Sequence, residues 1–159
     1  PWRVRFLTGS GASQARDWPQ LISWSENSDD AVRHFSGTAS YETQFHLPAE
    51  KLGPGRRLTL DLGRVEVIAE VRVNGKDLGT LWKRPFAVDI TDAVSPGSNT
   101  LEIKVTNNWW NRLVGDDKLP ANHRTTFTTA PPRSPRKALL PSGLLGPVTL
   151  RTTERMEVK

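Results

Sequence analysis

Cysteine is absent from all 159 residues, which excludes disulfides, thiolate metal sites and cysteine nucleophiles. Histidine is scarce: His34, His46 and His123 are scattered, without the spacing that metal ligation needs. His46 alternates onto the polar side of its run, where a surface histidine is expected. No apolar stretch approaches the roughly 20 residues of a membrane span, so no membrane partner is expected. A secretory leader is not visible in the Pro1-Trp2-Arg3 opening, and the one methionine is Met156. These two features lead us to expect a piece cut from a larger protein, or a processed product. Phosphate-cradling glycine loops are missing too, since Gly9-Ser10-Gly11 is only a flexible turn. No nucleophile-elbow motif is present.

The residues that are present describe an ordinary globular chain. Its composition is 36% hydrophobic and 25% charged, which speaks against disorder. The length suits one domain over residues 1–159, with a core that needs no staples. The net charge of +5 (22 basic minus 17 acidic) is compatible with nucleic acid, anionic membranes or acidic polysaccharide, and equally with a merely solvated surface.

Strand periodicity dominates the chain. Trp2, Val4 and Phe6 alternate with Arg3 and Arg5, and a Gly/Ser/Ala loop follows from Thr8 to Ala15. Leu21–Trp24 reads as a short strand or edge segment, and Ser28–Arg33 as one helical turn capped by Ser28. Thr38–Leu47 sets Ala39, Tyr41, Thr43, Phe45 and Leu47 on one face. After a turn over Pro48–Gly55, Arg57–Leu62 and Val65–Val73 alternate in the same way. Asn74-Gly75 supplies the positive φ values of a tight hairpin. Phe86, Val88 and Ile90 mark another strand, as do Leu101, Ile103 and Val105, and then Val148 and Leu150. No long segment keeps a 3.6-residue period. Short strands at this spacing predict an all-β jelly-roll sandwich. Residues 107–145 break the rhythm with a threonine-rich run (Arg124–Thr129) and a Pro/Arg-rich run (Pro131–Lys137), the mark of a strongly interacting loop.

Catalytic pairs are hard to find. Glycoside hydrolysis needs two carboxylates on facing walls, whereas the adjacent residues of Asp29-Asp30 and Asp116-Asp117 point apart on an extended chain. Asp116 or Asp117 is instead a candidate ligand for a structural Ca²⁺, a hard cation that favours oxygen; the alternative is a solvated loop. The aromatics carry more. Trp18, Trp24, Trp82, Trp109 and Trp110 fall in short or loop-like segments, and only Trp2 reads as core. A sugar ring presents an apolar C–H face that stacks on indole, while Asn, Asp and Arg bind its hydroxyls; each such stack contributes on the order of 1 kcal/mol. Trp82, Lys83 and Arg84 fit that chemistry, as do Trp109, Trp110, Asn111 and Arg112. The competing role for these tryptophans is to plug the ends of the sandwich or to dock on a neighbouring domain. Stacking on single-stranded nucleic acid is disfavoured, because there is one tyrosine and no dense basic stripe.

The strings Gly37–Pro48 (GTASYETQFHLP), Leu60–Gly63 (LDLG), Val71–Gly79 (VRVNGKDLG), Pro85–Thr91 (PFAVDIT) and Asn99–Asn107 (NTLEIKVTN) resemble the sugar-binding, galactose-binding-like domain of family 2 glycoside hydrolases. SWSE (Ser23–Glu26), HFSGTA (His34–Ala39), LWKRPF (Leu81–Phe86), WWNRLVGD (Trp109–Asp116) and PSGLLGPV (Pro141–Val148) narrow the likeness to the C-terminal β-sandwich domain of family 106 α-L-rhamnosidases. The resemblance implies a non-catalytic accessory domain of a secreted or periplasmic bacterial glycosidase, whose catalytic carboxylates sit in another domain; a monomer is expected. Its expected partners are that catalytic domain and a carbohydrate, for which an acidic, rhamnose-containing polysaccharide would suit the basic chain. The alternative expectation is a scaffold that packs on the catalytic domain without binding sugar. No cofactor is expected beyond a possible structural Ca²⁺.

Overall fold

The computed structural model describes residues 1–8, 11–12, 14–129 and 138–154. The Pro/Arg-rich run over 131–137 lies outside them, as do Gly9, Ser10 and Met156. Among the described residues the chain is mostly strand, and every registered strand pair is antiparallel.

The strands are β1 (Trp2–Thr8), β2 (Gly11–Ala12), β3 (Arg16–Trp18), β4 (Thr38–Leu47), β5 (Arg56–Asp61), β6 (Arg64–Glu66), β7 (Ile68–Val73), β8 (Lys76–Leu81), β9 (Ala87–Asp89), β10 (Gly97–Thr106), β11 (Gly143–Gly146) and β12 (Thr149–Glu154). Two helices, α1 (Asp30–Arg33) and α2 (Trp110–Asp117), interrupt them. One sheet has the order β2-β1-β4-β10-β7-β8, with β3 also on β1. The other layer is formed by β12-β5-β9 and by the pair β11-β6. This is the all-β sandwich expected from the periodicity. Its core is what alternation dictates. Val4, Phe6, Tyr41, Val71, Ile103 and Val105 come from the large sheet, and they meet Leu58, Leu60, Leu62, Val65, Ile90 and Leu144.

The expected strand boundaries hold for β4, and β10 begins at Gly97, ahead of the alternating residues Leu101, Ile103 and Val105. Elsewhere tertiary pairing overrode the pattern. Val65–Val73 reads as one strand, yet the chain crosses between layers there. β6 pairs with β11 while β7 pairs with β10 and β8. Val67, at the crossing, is exposed instead of facing the core, and its amide donates to the Thr106 carbonyl at 3.0 Å. The helical turn α1 is capped by Asp29, whose carboxylate accepts the Ala31 amide at 2.9 Å, not by Ser28. Leu21–Trp24 is not a strand, for it leads into a 3₁₀ turn at Trp24–Glu26. β8, β11 and α2 had no clear pattern to announce them.

The Asn74-Gly75 hairpin is as expected. Val73 pairs with Lys76, and the two turn residues have φ of 50° and 78°, the signature of the turn that matches strand twist. Asn74 does more than turn. Its side chain accepts the Thr100 amide at 2.9 Å and donates to Ala93 O and Asn99 Oδ1, fastening the hairpin to the loop before β10.

Candidate functional site

Trp82, Lys83 and Arg84 form the link between the layers at their open edge. The edge strand β8 ends at Leu81, which pairs with Ala69 of β7. Phe86 is buried, and its carbonyl accepts the Leu62 amide at 2.8 Å, just before β9 joins β5. Both ends of the link are therefore anchored while its middle stands in solvent. Trp82 is 67% exposed, and the Lys83 ammonium lies 5.3 Å from the centroid of its ring. Such a cation–π contact is worth about 0.5–1 kcal/mol at an exposed site. It holds a positive charge over an indole face. Arg84 lines a shallow hollow with Asp61, Gly63, Arg64, Pro85 and Phe86.

Trp109 belongs to the same end of the large sheet. Ile68 pairs with Thr106 at the end of β10, and Ala69 pairs with Leu81 at the end of β8. Trp82 and Trp109 thus both follow strands that finish at the end where β7 begins. Trp109 is 73% exposed, and Val67 and Ile68 at that end are also exposed.

The other three residues of the second aromatic cluster turn inward. Trp110 is half-buried and donates its indole N–H to Ala138 O at 2.8 Å. Asn111 is 1% exposed and its amide is fully engaged. Nδ2 donates to Leu140 O (2.8 Å) and Ser142 Oγ (3.2 Å), and Oδ1 accepts the Leu140 amide (2.8 Å). Asn111 acts as a clamp between α2 and the segment entering β11. Arg112 reaches along α2 to Asp116 at 2.8 Å.

The Asp116 carboxylate is already taken up by groups of the chain and does not fit a calcium ion. The Asp116 carboxylate is buried and already accepts Arg112, the Thr126 amide (2.8 Å) and hydroxyl (2.6 Å), and the Thr125 amide (3.1 Å). Burial pushes this carboxyl up, but those donors and the Arg112 charge outweigh it and hold it below its ordinary value. No group of three His, Asp or Glu among the described residues is arranged to hold a metal. Asp29 and Asp30 make no catalytic pair either. Asp29 caps α1 and pairs with Arg16 at 2.7 Å, while Asp30 pairs with Arg33 at 3.1 Å.

Trp18 and Trp24, which periodicity left among the loop aromatics, are buried in the core beside Phe6. His46 is exposed, as its place on the polar face implied. His34 is buried and packs against Gly115 of α2. Phe127 had no distinct pattern in the sequence, yet it is 92% exposed. The one signal was a lone aromatic inside the polar run Arg124–Thr129.

Comparison with known proteins agrees with the fold. Residues 22–143 match the family described as glycosyl hydrolase 2 galactose-binding domain-like. A rhamnosidase from Novosphingobium sp. PP1Y superposes with a TM-score of 0.84 at 42% identity, over 96% of this chain and 14% of that one. A protein of Formosa agariphila, provisionally named a beta-glucuronidase, is 41% identical over 94% of this chain and 15% of its own length. The Ruminococcus gnavus beta-glucuronidase shares the fold at a TM-score of 0.57 and 24% identity, over 67% of this chain and 20% of that one. The chain therefore spans about one-seventh of the length of the first two relatives.

Proposed function

We propose that this chain, which belongs to the glycosyl hydrolase 2 galactose-binding domain-like family, is a non-catalytic carbohydrate-binding accessory domain of a multidomain glycosidase. The observation that carries the reading is Trp82: a two-thirds exposed indole on a link anchored at both ends, with Lys83 above its ring and Arg84 beside it. Rigid exposed aromatics stack on the C–H face of a sugar at little entropic cost. Trp109 is a second exposed indole at the same end of the sheet. Asn111, Arg112 and the Trp110 N–H have partners within the chain and are structural in this reading.

The glycan we propose is acidic, with uronate carboxylates meeting Lys83 and Arg84. The relatives' names suit this choice, since one is a rhamnosidase and others are beta-glucuronidases. We further propose, from the sequence resemblance alone, that the parent is an α-L-rhamnosidase-like enzyme that is secreted or periplasmic. Affinity electrophoresis of the chain in gels containing rhamnose- and uronate-containing polysaccharide tests the reading. Retardation that is lost in Trp82→Ala, and that weakens as salt rises, is the expected result. Retardation unchanged by that substitution overturns the site.

The second reading is a scaffold that docks on the catalytic domain. The observation favouring it is that Val67 and Ile68 are exposed at the same end as the two tryptophans, and an exposed apolar patch of this kind marks protein interfaces as readily as ligand sites. Absence of retardation by every glycan, together with binding of the chain to the parent's catalytic domain, would decide for it.

A further inference from the structure

A cleft of about 610 Å³ opens between the end of α2 and the loop that follows it. Leu113, Asp116 and Asp117 form one wall, and Arg124 to Thr128 form the other. Its elements differ from those that carry Trp82, and a ligand there would make no use of the Trp82 link.

The loop wall is unusually well fixed for a surface segment. Thr125 and Thr126 each give both a backbone amide and a hydroxyl to the Asp116 carboxylate, at 2.6–3.1 Å. Arg112 neutralises the same carboxylate from within α2. Arg124 Nε donates to Leu119 O at 3.0 Å, which orients the guanidinium against the start of the loop. The next residue after this clamp is Phe127, which is 92% exposed. A phenyl ring left exposed forgoes the stabilisation that burial would bring. Phe127 follows directly on the two threonines that bind Asp116. Phe127 thus presents an aromatic face at a cleft whose lining also includes Arg124, Asp117 and three threonines, together with Leu113 and Ala121.

We propose that this cleft is a second binding site, for a pyranoside ring. Phe127 supplies the stacking face, and Arg124 with the polar groups of the walls binds the ring hydroxyls. Asp116 does not touch the sugar; it is a positioning residue that holds the loop wall.

The test is amide chemical-shift mapping of the chain, titrated separately with methyl α-L-rhamnopyranoside, methyl β-D-galactopyranoside and methyl β-D-glucuronide up to the high-millimolar range. At least one glycoside is expected to shift the amides of Thr125 to Thr128 in a saturable way. Phe127→Ala should weaken that binding roughly fivefold, the loss of one aromatic stack, while the rest of the spectrum stays in place because the ring makes little core contact. Trp82→Ala should leave these shifts unchanged. Asp116→Asn should weaken the same titration and also speed hydrogen exchange at Thr125 and Thr126. No saturable shift with any of the three glycosides, or binding that Phe127→Ala leaves intact, overturns the proposal. Failure of Trp82→Ala to affect polysaccharide retardation would bear only on the other site.

Discussion

The indole N–H of Trp24 donates to the hydroxyl of Tyr41 inside the core. The same hydroxyl accepts the Leu144 amide at 3.2 Å. One phenol oxygen thus ties the 3₁₀ turn after Leu21, strand β4 of the large sheet and strand β11 of the opposite layer. Trp24 N also donates to Ser142 O at 3.0 Å, which closes the link from the other side.

Tyr41→Phe removes an acceptor and leaves two buried donors unpaired. An unsatisfied buried polar group costs about 1–3 kcal/mol, so the variant should lose roughly 2–6 kcal/mol. Denaturant unfolding monitored by tryptophan fluorescence checks this. A loss smaller than that of an exposed control substitution would contradict the role of Tyr41.

Burial pushes the Tyr41 hydroxyl up to about 12, against the lowering effect of the Leu144 and Trp24 hydrogen bonds. The folded state then retains a proton that the unfolded state releases above about pH 10. Stability should be unaffected by this group below pH 10 and fall as pH rises from 10 toward 12, by about 2–3 kcal/mol at most. In Tyr41→Phe this alkaline component should vanish, which a comparison of unfolding midpoints at pH 9 and pH 11 would reveal.

Gly143 has no room for a side chain. A Cβ there would lie 2.3 Å from Trp24 Nε1, on a backbone with φ of +93°. Gly79 has a similar φ of +91° and open space around it. Gly143→Ala should cost roughly 3 kcal/mol or more, or prevent folding, while Gly79→Ala should cost only the left-handed strain of about 1–2 kcal/mol. Equal melting temperatures for the two variants would refute the packing argument.

Asp116→Asn should destabilise the chain at neutral pH, because Arg112 and two threonines lose a charged acceptor. The folded carboxyl sits below its ordinary value of 3.8. Its contribution is therefore present above that pH and disappears as pH falls through the folded value. Acid titration of both proteins should show their stabilities converging below about pH 4.

Trp82→Ala and Trp18→Ala should separate surface from core. Trp82 is mostly exposed, so its loss should change stability by less than about 0.5 kcal/mol. Trp18 packs on Phe6 and Tyr41, and its removal should cost roughly 3–5 kcal/mol. Thermal melts of the two variants make the comparison.

Periodicity alone was enough for the layered β-sandwich, the bounds of β4 and the Asn74-Gly75 turn. Each depends on local rules: side chains alternate every residue, and only certain residues take positive φ. The anchored exposure of Trp82, Lys83 and Arg84 was also foreseeable in part, since the three residues precede a proline between alternating segments. Periodicity could not reveal where the chain changes layers. Val65, Val67, Ala69, Val71 and Val73 recur at every second position, yet pairing partners distant in sequence split the run into β6 and β7 and put Val67 in solvent. The fates of Trp18, Trp24, Asn111 and Asp116 were equally hidden. Whether an indole stacks or packs, and whether a carboxylate meets a cation or an arginine, depends on groups such as Tyr41, Ser142 and Thr126 that only the folded chain brings within reach.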